Sequence, residues 1–284
     1  MTSALVAPVD RPTRTRRPVR GATTTLHKPS ALALGIAVTW FSLLVLIPLA
    51  AIVAVTAAGG WDQFWRVVTN EQTLAAIRLT VGQATLVTLI NVFMGTAIAW
   101  VLVRDRFWGK SVLDVAIDIP FALPTIVAGL VLLSLYGKDS PLGLDWANTE
   151  HSVMLALAFV TLPFIVRTVQ PVLEELDHDV EEAAASLGAS RMTIFRRIIL
   201  PSLTPAIAAG AALSFARAIS EYGSLVLLSG NLPFKTEVVS VRVLSFIEGG
   251  NTAAAAALAT VMLMIALFVI VAVDILQRRI TRRG

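Results

Sequence analysis

Six apolar runs set the terms for this chain, near residues 31–57, 80–103, 112–136, 152–170, 203–229 and 253–276. Crossing a hydrocarbon layer takes roughly 20 apolar residues of helix, and each run meets or approaches that length. Inside lipid every backbone N–H and C=O must be bonded within the protein, which leaves the helix as the solution for isolated runs of this size. The expected fold class is therefore an all-α integral membrane protein with about six transmembrane helices. Composition agrees: 56% of residues are hydrophobic and 15% charged, against about a quarter charged in a soluble domain. Cysteine is absent, so neither disulfides nor thiolate chemistry enter. The pI near 10.0 does not point to nucleic acid, because the basic residues flank the apolar runs instead of forming one stripe.

Those flanking charges orient the chain. With the N-terminus inside, 17 Lys and Arg fall on the inner side and five on the outer, and Arg217, within a run, completes the 23. The positive-inside bias places both termini and the 174–201 stretch in the cytoplasm. Residues 1–30 (including RPTRTRRPVR) carry too little apolar surface to fold alone and read as a disordered basic tail near anionic lipid head groups. A cleaved leader is the rival reading, but the apolar run continues from Ala31 to about Ala58, beyond the core of a secretory signal. The domain scheme is a tail at 1–30, a membrane domain at 31–277 and a basic tail at 278–284. On the outer side, Trp61, Phe64 and Trp65 suit a helix lying at the interface, with contact to an external partner as the alternative. The 230–251 segment, with Lys235, Glu237, Arg242 and Glu248, reads as a solvated outer loop.

The longest polar interval is 174–201, EELDHDVEEAAASLGASRMTIFRRIILP. Propensity favours a helix over Val180–Leu187, a stop at Gly188, a cap at Ser190 and a second helix from Arg191 to Leu200, ended by Pro201. An amphipathic hairpin on the membrane surface accounts for that much. The spacing adds more: Glu182, Ala183 and Ala184, then Gly188, then Ile198, Leu200 and Pro201. This pattern resembles the EAA loop of bacterial ABC-importer permeases. The resemblance implies a cytoplasmic coupling helix that docks on a separate ATP-hydrolysing subunit, working as a dimer.

Charges inside the apolar runs need explaining, because each costs a few kcal/mol unless paired or wetted. Asp114 and Asp118 lie four apart, ahead of Pro120, Pro124 and Thr125, and the prolines should kink or open that helix. Arg217 and Glu221 also lie four apart. They fit a mutual ion pair, an Arg217 bridge to Asp118, or a water-filled route for a dianion, in which a partly neutralised arginine lets an anion enter and leave. In the second run Gly95 and Ala99 offer a small face for close packing, and Asn91 a hydrogen bond to a neighbouring helix.

Two further stretches narrow the resemblance: AWVLVRxRFxGKxxLDxxIDxPFALPTxVAGxxLxxLYG and FARAxxEYGS. Both are similar to permeases of the sulfate/thiosulfate type, the CysT-like subunit, and less closely to molybdate permeases. The likeness runs over roughly residues 35–276. It implies an importer subunit of the bacterial inner membrane, a second homologous permease and an extracytoplasmic sulfate-binding protein. It also implies a translocation path along the fifth run, with Arg217, Glu221, Asp118, Pro124 and Thr125 as candidates. Molybdate or tungstate is the alternative cargo, and an ATP-independent secondary transporter the alternative class. No nucleotide-binding or hydrolase motif occurs, and His27, His151 and His178 stand apart. The expectation is thus a non-enzyme with no metal and no cofactor, with ATPase activity on another chain.

Overall fold

The computed structural model describes residues 28–281, with side chains placed at 31–275, 277 and 278. Most of the two expected basic tails, 1–27 and 282–284, lies outside the described residues. The chain divides into two units, before and after Pro48. In the first, α1 (Lys28–Phe41) runs into a π-helical turn at Ser42–Leu46. There Ile47 N–H bonds Ser42 O, five residues back, just ahead of Pro48. A proline two residues on offers no N–H to its i−4 carbonyl, and the wider turn accommodates its ring.

The described residues of the second unit form helices joined by turns and loops, with no strand among them. After α2 (Ile47–Ala58) come the interfacial α3 (Trp61–Val68) and the 34-residue α4 (Glu71–Arg104). Then follow α5 (Lys110–Ala122), α6 (Thr125–Tyr136) and α7 (Glu150–Glu174). The polar interval forms α8 (His178–Ser186) and α9 (Arg191–Ile194), and a second π turn at Phe195–Ile199 leads into α10 (Leu200–Ile219). The chain closes with α11 (Gly223–Leu228), α12 (Val239–Glu248) and α13 (Thr252–Thr281).

Among the described residues five helices are long and apolar enough to cross a membrane: Ala31–Ala58, Glu71–Arg104, Glu150–Glu174, Arg191–Ile219 and Thr252–Ile275. The third expected span is a pair, α5 and α6, bent by 116°, the opening expected of its prolines. Leu123 and Pro124, both extended with ψ of 133°, make the corner. A proline disfavours the α region for the residue before it, and here, with no widened turn ahead to make room, Leu123 leaves the helix.

Three expectations are corrected. Pro201 does not end a helix, because the chain runs helically through it. Leu200 N–H bonds Phe195 O, five residues back, so the π turn makes room for the proline as it does before Pro48. The fifth span, expected at 203–229, breaks after Ile219 and resumes as the short α11. The 230–251 segment is not a solvated loop: Thr236, Glu237, Val238, Val239 and Val241 are buried. Val239 N donates to Thr80 Oγ1 of α4 at 2.9 Å.

Packing follows the small residues. A Cβ on Gly95 would stand 2.8 Å from Ile165, so α4 and α7 meet almost backbone to backbone there, with Ala99 fully buried. Asn91 Nδ2 donates to Thr161 Oγ1 at 2.9 Å across the same seam. Besides a small cluster of Ala76, Val239 and Leu258, two larger buried clusters form among the described residues. One, around Leu157, Phe215, Leu225 and Val241, holds the half of the bundle containing α11 and α12. The other, around Leu102, Ile165, Leu173 and Leu203, holds the half that carries α8. On α3, Trp61 stacks on Phe64 with centroids 5.4 Å apart and meets Trp65 edge-on at 5.5 Å. Trp61 is 69% exposed, as an interfacial anchor should be.

Candidate functional site

Three constructions gather the residues singled out by sequence. The first is α8, at one end of the bundle. Asp177 caps it, accepting from Asp179 N at 2.9 Å. Gly188 then turns at φ +85°, where a Cβ would meet open space, so it is the backbone conformation that requires glycine. Ser190 caps α9 by accepting from Thr193 N. The loop is anchored from below. Arg104, at the end of α4, pairs with Glu181 and lies 3.1 Å from His178 Nδ1. Its guanidinium sits 5.5 Å from the Trp100 ring centroid, and Trp100 meets Phe195 edge-on.

Ala184 and Ile198 face inward and pack against the neighbouring cluster. Glu182, Ala183, Leu200 and Pro201 face out. Leu187, at the turn, is 89% exposed, with Val180 and Met192 also exposed. The result is a rigidly held ridge with an alanine face and an apolar tip. The partner role of Glu181 was not read from the sequence; its position one residue ahead of the motif, opposite the end of an apolar run closing in arginine, was the available signal.

The second construction lies where two broken helices meet. Gly223 and Gly129 allow α11 and α6 to touch through their backbones. A Cβ on Gly129 would stand 2.7 Å from Ser224 O, and one on Gly223 would collide with Thr125 Oγ1 and lie 2.9 Å from Ile126 N. Thr125 and Pro124 therefore sit against the start of α11. Glu221 is buried in the break. Its Oε1 accepts from both Ser224 N and Ser224 Oγ at 2.8 Å, capping α11, while Oε2 pairs with Arg217 Nη1 at 2.6 Å. Its backbone carbonyl accepts from Ser240 Oγ of α12 at 2.7 Å. The Arg217 side chain remains 28% exposed. The structure thus brings together Arg217, Glu221, Pro124 and Thr125, as a partly neutralised guanidinium beside a helix break.

Asp118 is not among them, which removes the Arg217 bridge to Asp118. The acids of α5 belong to the third construction, centred on Arg167 of α7. Its Nε and Nη2 donate to the two oxygens of Asp118 at 2.8 and 2.7 Å. Nη1 donates to Asp114 Oδ1 and Gln170 Oε1, and Nη2 also to the Asp114 carbonyl, each at 2.7 Å. All five donors of the guanidinium are used. Sequence counting assigned Arg167 to the inner loop; α7 extends to Glu174 and carries it within the helix. Two acids four apart on one face, each needing a partner or water, were the available signal. Among the described residues no cluster of His, Cys, Asp and Glu has the form of a metal site.

Comparison with known proteins bears on the whole chain. Residues 91–283 match the family described as "Binding-protein-dependent transport system inner membrane component". The chain belongs to that family. It is a multi-pass inner-membrane permease of the ABC transporter class, not itself an enzyme. The sulfate transport system permease protein CysT of Salmonella typhimurium is 42% identical over 259 residues, covering 89% of this chain and 94% of that protein. CysT of Escherichia coli is 41% identical, with 89% and 94% covered, and that of Synechocystis is 40% identical, with 86% and 87% covered. Among solved structures, a bacterial ABC transporter for the acidic polysaccharide alginate superposes with a TM-score of 0.72 at 17% identity, over 88% of this chain and 95% of that one. The MetNI methionine ABC transporter gives 0.54 at 16%, over 75% and 99%. These two share the fold of this permease.

Proposed function

We propose that this chain is the transmembrane subunit of an ATP-driven importer that carries sulfate, and also thiosulfate, into the cell. The observation that carries the cargo is the likeness to sulfate permeases at 40–42% identity through 86–89% of the chain. In this reading both termini and α8 face the cytoplasm, the nucleotide motor is a dimer of a separate ATPase, and a second homologous permease completes the membrane part. A sulfate-binding protein delivers the anion from outside. One of the alginate transporter structures is described as a complex with a periplasmic protein, which supports a partner at that end.

Force enters at α8. Closure of the ATPase dimer moves the ridge of Glu182, Ala183, Ala184 and Leu187. The Arg104–Glu181 pair and the packing of Ala184 and Ile198 pass that displacement to α4 and to the π turn below α10. A rigid α8 is needed because a soft link would dissipate the motion; the Arg104–Glu181 pair and the caps at Asp177 and Ser190 supply that rigidity, and Gly188 permits the turn. The two bundles then rock between inward-facing and outward-facing forms. The anion passes the break at Pro124 and Thr125, beside Arg217. There the buried Glu221 takes up part of the arginine's charge, so a dianion is attracted without being trapped. Asp118 acts at one remove, holding α5 through Arg167.

The test is uptake of labelled sulfate by membranes containing all the subunits. Glu182→Lys and Gly188→Pro should abolish ATP-dependent uptake while the protein remains in the membrane. Normal uptake by either variant contradicts the role of α8. Uptake that survives vanadate but collapses with an uncoupler replaces ATP drive with an ion gradient, and uptake saturable by molybdate alone reassigns the cargo.

A further inference from the structure

At the end of the bundle opposite α8, the α3–α4 corner and the α12–α13 corner enclose a small pocket that the transport reading does not use. It holds about 290 Å³ and is lined by Gln63, Arg66, Val67, Asn70, Arg242, Phe246 and Asn251. α4 alone, with 34 residues, separates it from Arg104 by roughly 50 Å at 1.5 Å per residue. Gln63 Nε2 donates to Asn251 Oδ1 at 3.3 Å and ties the two corners together.

The polar lining is biased toward donors. Asn70 Oδ1 is spent capping α4 on Gln72 N and Thr73 N, and Asn251 Oδ1 accepts from Ala254 N, so each Asn offers its amide nitrogen. Arg66 is exposed on α3 with no ion-pair partner among the described residues. Arg104 and Arg242 both bury an Nε without an acceptor, but Arg104 pairs closely with Glu181 while Arg242 has no carboxylate within hydrogen-bond reach among the described residues. Its side chain is only 15% exposed, its Nε is buried without an acceptor, and the Glu237 carboxylate stands 3.9 Å from Nη1, beyond hydrogen-bond reach. That carboxylate already accepts from Gln72 Nε2 at 2.7 Å. The guanidinium lies over Phe246 at 4.6 Å, which holds its plane in one orientation.

The fold gives its structural arginines close carboxylates: all five N–H groups of Arg167 are bonded, two of its nitrogens to Asp118, and Arg104 pairs with Glu181. A desolvated guanidinium left short of acceptors is costly, and a planar fork held in place by an aromatic ring suits an oxyanion. The four helix ends that meet here are two C-termini and two N-termini, so their dipoles largely offset one another. The field of the pocket is therefore that of its side chains. Two arginines and no acid line it.

We propose that this pocket binds a small oxyanion of the sulfate class at the end of the permease where its cargo arrives. Only the side of arrival rests on the transport reading; binding does not. Arg66, at the mouth, draws the anion in, Arg242 presents its fork from the side, and the two amides complete the donor set. A lipid phosphate offers the same chemistry, and the experiment separates the two sources.

The full-length chain in phosphatidylcholine nanodiscs is titrated calorimetrically with sodium sulfate against sodium chloride at matched ionic strength. Saturable binding should weaken at least tenfold in Arg66→Glu and in Arg242→Gln, and stay unchanged in Lys235→Gln. Arg66 is exposed, so its variant reports on binding even where Arg242→Gln fails to fold. In a second arm, phosphatidylglycerol replaces part of the lipid. Competition by it that disappears in Arg66→Glu keeps the site and assigns its occupant to the headgroup, whereas equal sulfate affinity in both lipids assigns the free anion. A sulfate isotherm indifferent to both arginines overturns the proposal, as does an equal loss in Lys235→Gln. Failure of both anions to bind, with weaker docking of the external protein by Arg66→Glu, also overturns it and gives the pocket to a protein carboxylate. The titration needs no ATPase, so a failed transport reading leaves it intact, and a failed titration leaves uptake untouched.

Discussion

Removing the fork between Arg167 and Asp118 should loosen α5 from α7 by an amount the geometry sets. The two bonds, at 2.8 and 2.7 Å, form a bidentate pair. A buried pair broken on one side costs about 3–5 kcal/mol, and an exposed one about 0.2–1 kcal/mol. Here the Arg167 side chain is 28% exposed and that of Asp118 51%, which places the coupling between those limits, at about 1–2 kcal/mol. Arg167→Gln alone should cost more than Asp118→Asn alone, because it also frees Asp114 to repel Asp118 from one turn away, adding about 0.3–0.5 kcal/mol. The double variant should therefore be less damaging than the sum of the singles by about 1–2 kcal/mol. The assay is a double-mutant cycle on unfolding of the purified permease in mixed micelles. Additivity within about 0.5 kcal/mol, the usual result for independent sites, would refute the clamp.

Gly129→Ala places a Cβ 2.7 Å from Ser224 O and should lower stability by about 1–3 kcal/mol. Gly82→Ala, with open space around it, should be neutral or gain up to about 1 kcal/mol; thermal unfolding of the two side by side checks the backbone contact of α6 with α11. Glu221→Gln can still accept from Ser224 but leaves Arg217 uncompensated, whereas Glu221→Ala loses both functions. The alanine variant should fail to accumulate in the membrane, while the glutamine variant accumulates and transports slowly because Arg217 then holds the anion too tightly. Identical behaviour of the two in immunoblots and uptake would undo that division of labour.

Much of this architecture was legible because lipid leaves few choices. Apolar runs of span length had to be helices, and the small face at Gly95 and Ala99 had to be a packing seam. The α8 loop was legible because capping at Ser190 and a left-handed turn at Gly188 are local chemistry. What stayed hidden is tertiary. The break after Ile219 has no proline to announce it; it is held open by Glu221, whose carboxylate caps α11 and whose carbonyl meets Ser240, two partners that sequence spacing cannot reveal. Pro201, conversely, announces a break that does not occur, since a π turn immediately ahead makes room for it. Arg167 was misplaced because it stands at the very end of the 152–170 run and was counted with the polar interval that follows, while α7 continues to Glu174 and its two acidic partners lie on α5. Of the candidate path, Arg217, Glu221, Pro124 and Thr125 converge, and only Asp118 was drawn to a different arginine.

The central claim is that α8 hands mechanical work to the permease from a cytoplasmic motor. The chain contains no cysteine, so Leu187→Cys introduces a single thiol at the 89% exposed tip of that ridge. Labelling with a membrane-impermeant maleimide should succeed in inside-out vesicles, fail in right-side-out ones, and be blocked when the ATPase subunits are bound. Labelling from the outer side, or labelling indifferent to the ATPase, would contradict the account.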